Sequence, residues 1–173
     1  HADEVFADGF MNERGGHGAV HAAGQAEQYA LIADLLADLG AAGARLAVAT
    51  SKAEPTAQRI LAHFDLDSWF EVIAGASPDG VRSTKADVLA HALAQLAPLP
   101  QRVLMIGDRS HDVEGAAAHG ISAIVVGWGY GAEDFRGADS GAVAHVATVD
   151  ELREAIYTGV EDEDRTSQLA RRG

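Results

Sequence analysis

Val103-Leu-Met-Ile-Gly107-Asp108-Arg-Ser-His-Asp112-Val-Glu-Gly-Ala-Ala-Ala-His-Gly120-Ile-Ser-Ala-Ile-Val-Val126 reads as strand, loop, short helix and strand. Val103 to Ile106 is too short an apolar run for a helix and fits a strand buried on both faces. Val113 to His119 is an alanine-rich helix closed by Gly120, and Ile121 to Val126 is the next strand. The same alternation extends upstream. Val88, Leu89, Ala92, Leu93 and Leu96 mark a helix, and Phe70-Glu-Val-Ile-Ala-Gly75 a strand. Pro55 opens a helix whose face is Ile60, Leu61 and Phe64. Leu46-Ala-Val-Ala-Thr50 is a strand, preceded by the amphipathic stripe Leu31, Ile32, Leu35, Leu36 and Leu39, which Gly40 and Gly43 end. Downstream, Thr148-Val-Asp-Glu151 is a capping box opening a last helix with Val149, Leu152 and Ile156 inside. Strands alternating with helices predict an α/β domain with a mostly parallel sheet.

Composition narrows the function. The chain has 173 residues, 47% of them apolar and 23% charged, the balance of a folded globular protein. No apolar run reaches the roughly 18–20 residues of a membrane span. There is no cysteine, so disulfides, thiolate metal sites and cysteine nucleophiles are excluded, and a reducing, cytoplasmic setting is expected. The net charge of −13, with no basic patch, disfavours nucleic acid and anionic membranes as partners. Oligomeric state is not legible. Residues 1–24 show weak periodicity: Val5, Phe6, Phe10 and Met11 suit one side of a short helix, and Gly15, Gly16, Gly18 and Gly24 break it.

Ligands of parallel α/β sheets bind at the carboxyl ends of the strands. Thr50-Ser51-Lys52 ends one strand there, Lys85 opens a helix, and Asp108 and Asp112 follow another strand. Singly, each has an ordinary use. Thr50 and Ser51 suit a helix cap, Lys85 a solvated surface, and the aspartates a helix N-terminus. Jointly they suit phosphoryl handling. A hydroxyl and turn N–H groups hold phosphate oxygens, an ammonium neutralises phosphoryl charge, and carboxylates bind Mg²⁺.

These residues carry a family resemblance. Leu46-Ala-Val-Ala-Thr50, Lys85 and Gly107-Asp108 through Gly120 resemble motifs two, three and four of the haloacid dehalogenase superfamily. Gly127-Trp-Gly-Tyr-Gly131 is similar to its phosphoglycolate-phosphatase-like branch. The resemblance implies a three-layer Rossmann-like core over residues 29–158, with residues 1–28 the end of a helical cap and linker; the polar composition of 159–173 reads as a flexible charged tail. It implies a Mg²⁺-dependent phosphatase of a small phosphorylated metabolite, working through an aspartyl-phosphate. Thr50 and Ser51 would hold phosphoryl oxygens, with Thr50 and Lys85 catalytic and Lys85 neutralising charge. Asp108 would bind Mg²⁺, with Asp112 a second ligand or a support for Lys85. The chain also looks close to actinobacterial members described as protein tyrosine kinases, so phosphoryl transfer to tyrosine is a second reading. A degenerate member that binds phosphate or a partner without turnover is a third.

The family's Asp-x-Asp-Gly-Thr segment is not matched. Phe6-Ala-Asp8-Gly9-Phe10 lacks the paired aspartate, and no apolar strand precedes it. The expectation is a chain without its first motif, with its central strand missing, poorly stable and catalytically inactive. Among other candidates, His17 and His21 have helical i, i+4 spacing in a glycine-rich stretch. His111 could touch substrate. Trp128 and Tyr130 are expected to pack over the site's edge. Glu161-Asp-Glu-Asp164 reads as a solvated run.

Overall fold

The computed structural model describes residues 4–7, 19–129, 131, 135 and 140–158. In chain order the elements are β1 (Glu4–Ala7), α1 (Ala19–Ala41), β2 (Arg45–Ala53), α2 (Glu54–His63), a 3₁₀ turn (Asp67–Trp69), β3 (Val72–Ala76), α3 (Lys85–Leu96), β4 (Val103–Gly107), α4 (Ser110–Ala117), β5 (Ser122–Val126) and β6 (Ala144–Val146). A last helix, α5, covers 149–158. The six strands form one sheet in the order β3-β2-β1-β4-β5-β6, and every neighbouring pair is parallel.

Period-two alternation divides the core between the two faces. Leu46 and Val48 of β2, Leu104 and Ile106 of β4, and Ile124 and Val126 of β5 face α1, α2 and α5. Ala47 and Ala49, Met105, and Ala123 and Val125 face α3 and α4. Helices therefore cover both faces, the three-layer architecture expected. Leu89 of α3 is wholly buried on the second face. Leu89→Ala is expected to lower the unfolding free energy by about 2–5 kcal/mol in urea titration, because the surrounding atoms close the cavity only in part.

The centre of the sheet differs from the expectation. The slot between β2 and β4 is filled by β1, with Phe6 opposite Ala47 on one side and Met105 on the other. The flanking strands therefore keep a partner there. Glu4-Val-Phe-Ala7 carries little pattern, but a strand paired on both sides satisfies its neighbours' backbone N–H and C=O groups, whose exposure in the core is costly. That requirement outweighs the weak local signal. The sequence continues into Asp8-Gly9, which lie outside the described residues.

α1 also begins earlier than expected and runs through Gly24 without interruption. Alanines around that glycine offset its helix cost of about 1 kcal/mol. The helix crosses residue 28 unbroken, so β1 and the first half of α1 both occupy the stretch expected to end a cap. His17 and the 159–173 tail, with Glu161 to Asp164, lie outside the described residues, and His21 lies in α1. The three-residue β6 was not foreseen in the sequence.

β2 is not regular to its end. Its register with β3 shifts between Ala49 and Ala53, around Thr50, Ser51 and Lys52.

Candidate functional site

The strand order turns back at β1, with β2 on one side and β4 on the other. Crevices of this kind lie at the carboxyl ends of the strands, where the chain can reach in from both sides. Thr50 arrives on β2 and Asp108 follows β4. Lys85 is the first residue of α3, and Asp112 lies in the first turn of α4. Among the described residues, the buried polar or charged side chains are Thr50, Lys85, Asp108 and Asp112. Burying such groups is unfavourable unless they are paired, so the sheet edge carries a concentrated polar cluster. Ser51 is exposed beside them.

Lys85 ties the cluster together. Its Nζ donates to the carbonyl of Ala49 at 2.9 Å and lies 2.9 Å from Asp112 Oδ1. The other Asp112 oxygen accepts from the backbone N–H groups of Asp108 at 3.1 Å and Arg109 at 3.0 Å. Asp112 thus braces the lysine and the turn that carries Asp108. Thr50 Oγ1 accepts from the N–H of Lys52 at 3.2 Å, which curls the end of β2 around the hydroxyl. The ordinary uses of these residues are not what the fold makes of them. α2 has Ala53 at its cap position and no side-chain cap, so Thr50 and Ser51 do not cap it. Lys85 is not a surface lysine, and Asp112 supports a helix start and a buried cation together.

The start of α3 is fixed by a capping box. Thr84 Oγ1 accepts from the N–H of Asp87 at 3.2 Å, and the Asp87 carboxylate accepts from the N–H of Thr84 at 3.2 Å. The Thr84 hydroxyl, then its backbone N–H, hold the Asp87 pKa below the ordinary carboxylate value. The capping contribution is therefore full above that value and is lost as pH falls through the lowered pKa. Space for the Lys85 stem comes from α4. A Cβ on Gly115 would lie 2.6 Å from Lys85 Cγ and 2.9 Å from its Cβ.

Three contributors escaped the sequence reading. Glu54 Oε2 accepts from the N–H of Gly75 at 3.2 Å and pairs with Arg82 at 3.0 Å. Arg82 and Ser77 close the intervening loop, N–H of Arg82 to Ser77 Oγ at 2.9 Å and N–H of Ser77 to the Arg82 carbonyl at 3.1 Å. Glu54 therefore fastens the segment leading to Lys85 onto the turn after β2. The third is Gly115. Nothing local in the sequence marks the contacts of Glu54 with Gly75 and Arg82, 21 and 28 positions away, or of Gly115 with the Lys85 stem, 30 positions away.

His111 is 41% exposed, with Nε2 3.7 Å from Asp112 Oδ1, at the rim of the cluster. The loop after β5 crosses Asp108: a Cβ on Gly129 would overlap its carboxylate, and one on Gly131 its carbonyl. Trp128 packs against the apolar core, and Tyr130 lies outside the described residues. Among the described residues no three His, Asp or Glu side chains are grouped as a metal-binding set. A separate cleft of about 360 Å³ opens where β4 and β5 begin, lined in part by Arg102, His119 and Ser122. It contains none of the cluster residues.

The family model for haloacid dehalogenase-like hydrolases matches residues 14–126. Tyrosine-protein kinase PtkA of Mycobacterium tuberculosis is 69% identical over 126 residues, 72% of this chain and 43% of that protein. Its solved structure superposes with a TM-score of 0.64 at 68% identity, covering 72% of this chain and 58% of that one. Phosphoglycolate phosphatase of Chromobacterium violaceum is 33% identical over 138 residues, 77% of this chain and 62% of that protein. The structure of a predicted phosphatase from Clostridium acetobutylicum gives a TM-score of 0.68 at 40% identity, covering 73% and 58%. This chain therefore spans less than two thirds of each of these relatives. No helix among the described residues is long and apolar enough to cross a membrane. Since the family model takes in well over half of the chain, the chain belongs to the haloacid dehalogenase-like hydrolase family.

Proposed function

We propose that this chain carries the phosphoryl-handling core of a Mg²⁺-dependent phosphatase acting on a small phosphorylated metabolite of the phosphoglycolate class. The observation that supports this reading is the buried Lys85, held by the Ala49 carbonyl and Asp112 between the ends of β2 and β4. An ammonium fixed there is pre-oriented for charge that develops on a phosphoryl group. Thr50 and Ser51, with the backbone N–H groups at the irregular end of β2, would hold phosphoryl oxygens. Asp112 holds the Lys85 side chain aimed. Asp108 suits Mg²⁺, which needs only one or two carboxylates and completes its shell with water and phosphate oxygens. Bound Mg²⁺ would offset phosphoryl charge. The family route, through an aspartyl-phosphate, needs an aspartate nucleophile at the end of the central strand, and the motifs matched here do not include it.

The test is phosphate release by the natural full-length chain from a panel of small phosphomonoesters, with and without Mg²⁺. Turnover that requires Mg²⁺ and disappears in Asp108→Asn is expected. No turnover of any phosphomonoester would sink the reading. The 69% identity to a tyrosine-protein kinase favours a second reading, transfer to tyrosine. Labelled γ-phosphate appearing on protein tyrosine, without phosphomonoester hydrolysis, would select it.

A further inference from the structure

The Gly127-Trp128-Gly129-Tyr130-Gly131 stretch is so far without a task in the proposed chemistry. We infer that the backbone from Gly127 to Gly129 is a roof that fixes the direction of the Asp108 carboxylate for a divalent cation, with Gly129 as the positioning residue. The inference rests on the Mg²⁺-dependent reading above.

The loop is pinned at its base. The N–H of Gly127 donates to the Val146 carbonyl at 2.8 Å, and the Trp128 ring packs against the apolar core. From that anchorage the backbone brings Gly129 directly against Asp108. A Cβ on Gly129 would overlap Oδ2, Cγ and Cβ of Asp108, so no rotation of the carboxylate alone would relieve it. A Cβ on Gly131 would overlap the Asp108 carbonyl and approach Arg109 Cδ at 2.7 Å. From below, the Asp108 N–H is held by Asp112 Oδ2. Asp108 is thus clamped at its amide, its carbonyl and its side chain. Metal affinity depends on such supporting contacts, since a ligand that must reorient binds more weakly. Gly129 is not among the glycines with positive φ, so alanine suits its backbone and acts through the overlap.

The experiment titrates Mn²⁺ into the full-length protein and reads the free ion by electron paramagnetic resonance. Wild type should bind Mn²⁺, Gly129→Ala should bind it about ten- to a hundredfold more weakly, and Gly127→Ala should match wild type. A thermal melt of each variant accompanies the titration. Equal affinity in wild type and Gly129→Ala overturns the inference and leaves the reading of the site standing. An equal loss in Gly127→Ala overturns the assignment to Gly129. Wild type that binds no Mn²⁺ overturns both. A second measurement needs no substitution at the glycine. In protein carrying fluorinated tryptophan, the resonance lost in Trp128→Phe identifies Trp128. It should shift in wild type as Mg²⁺ is added, and a resonance indifferent to Mg²⁺ overturns the roof.

Discussion

Lys85→Met lowers the stability of this protein by about 3–5 kcal/mol, the cost of leaving one partner of a buried ion pair without the other. Methionine replaces the stem that packs on Gly115 but brings no charge. Asp112, wholly buried, then keeps two backbone donors and loses its cation. The cost is a large share of the total stability of a domain, about 5–15 kcal/mol. Adding Asp112→Asn should recover much of it, because asparagine still accepts from the Asp108 and Arg109 N–H groups and removes the charge. Urea midpoints of the two single variants and the double variant measure the coupling. A loss below about 1 kcal/mol in Lys85→Met is the range of an exposed pair and would show that water reaches Asp112.

The second large effect concerns the middle of the sheet. Val5→Pro is expected to abolish cooperative unfolding or to cost about 3 kcal/mol or more, since proline removes a ladder donor and is confined to edges and bulges. Val5 stands opposite Leu46 on one side and Leu104 on the other, so β1 has no free edge. Circular dichroism melts would show the loss. Amide exchange should accelerate in β2 and β4, which face the altered strand. A variant melting like wild type would mean that β2 and β4 do not depend on residues 4–7.

The fold was legible wherever a segment carried its own pattern. β2, β4 and β5 announce themselves because both faces of each are apolar, and α3 because its stripe is complete. β1 and β6 do not. Glu4-Val-Phe-Ala7 is four residues with a charge at its head, and Ala144-His-Val146 is three with a histidine in the middle. Their existence depends on neighbours already in place, which is tertiary information. The same division runs through the site. Thr50, Lys85, Asp108 and Asp112 were readable because each sits next to a strand end or a helix start. Glu54, Arg82 and Gly115 were not, because each acts on a residue far away in sequence. The aspartates also show the limit of residue type as a guide. Asp108 and Asp112 look alike in the motif, but Asp112 is committed to a lysine and two amides.

The irregular end of β2 carries a further meaning. From Ala49 to Ala53 the chain advances four residues, while its partner β3 advances only two, from Ala74 to Ala76. The surplus is the segment that holds Thr50, Ser51 and Lys52. A shortened β2 that matched its neighbour residue for residue would make a tidier ladder without that turn. The strand is, in effect, spelled with extra letters where Thr50 curls the chain end, and regularising that spelling would remove the turn that the proposed phosphoryl site uses.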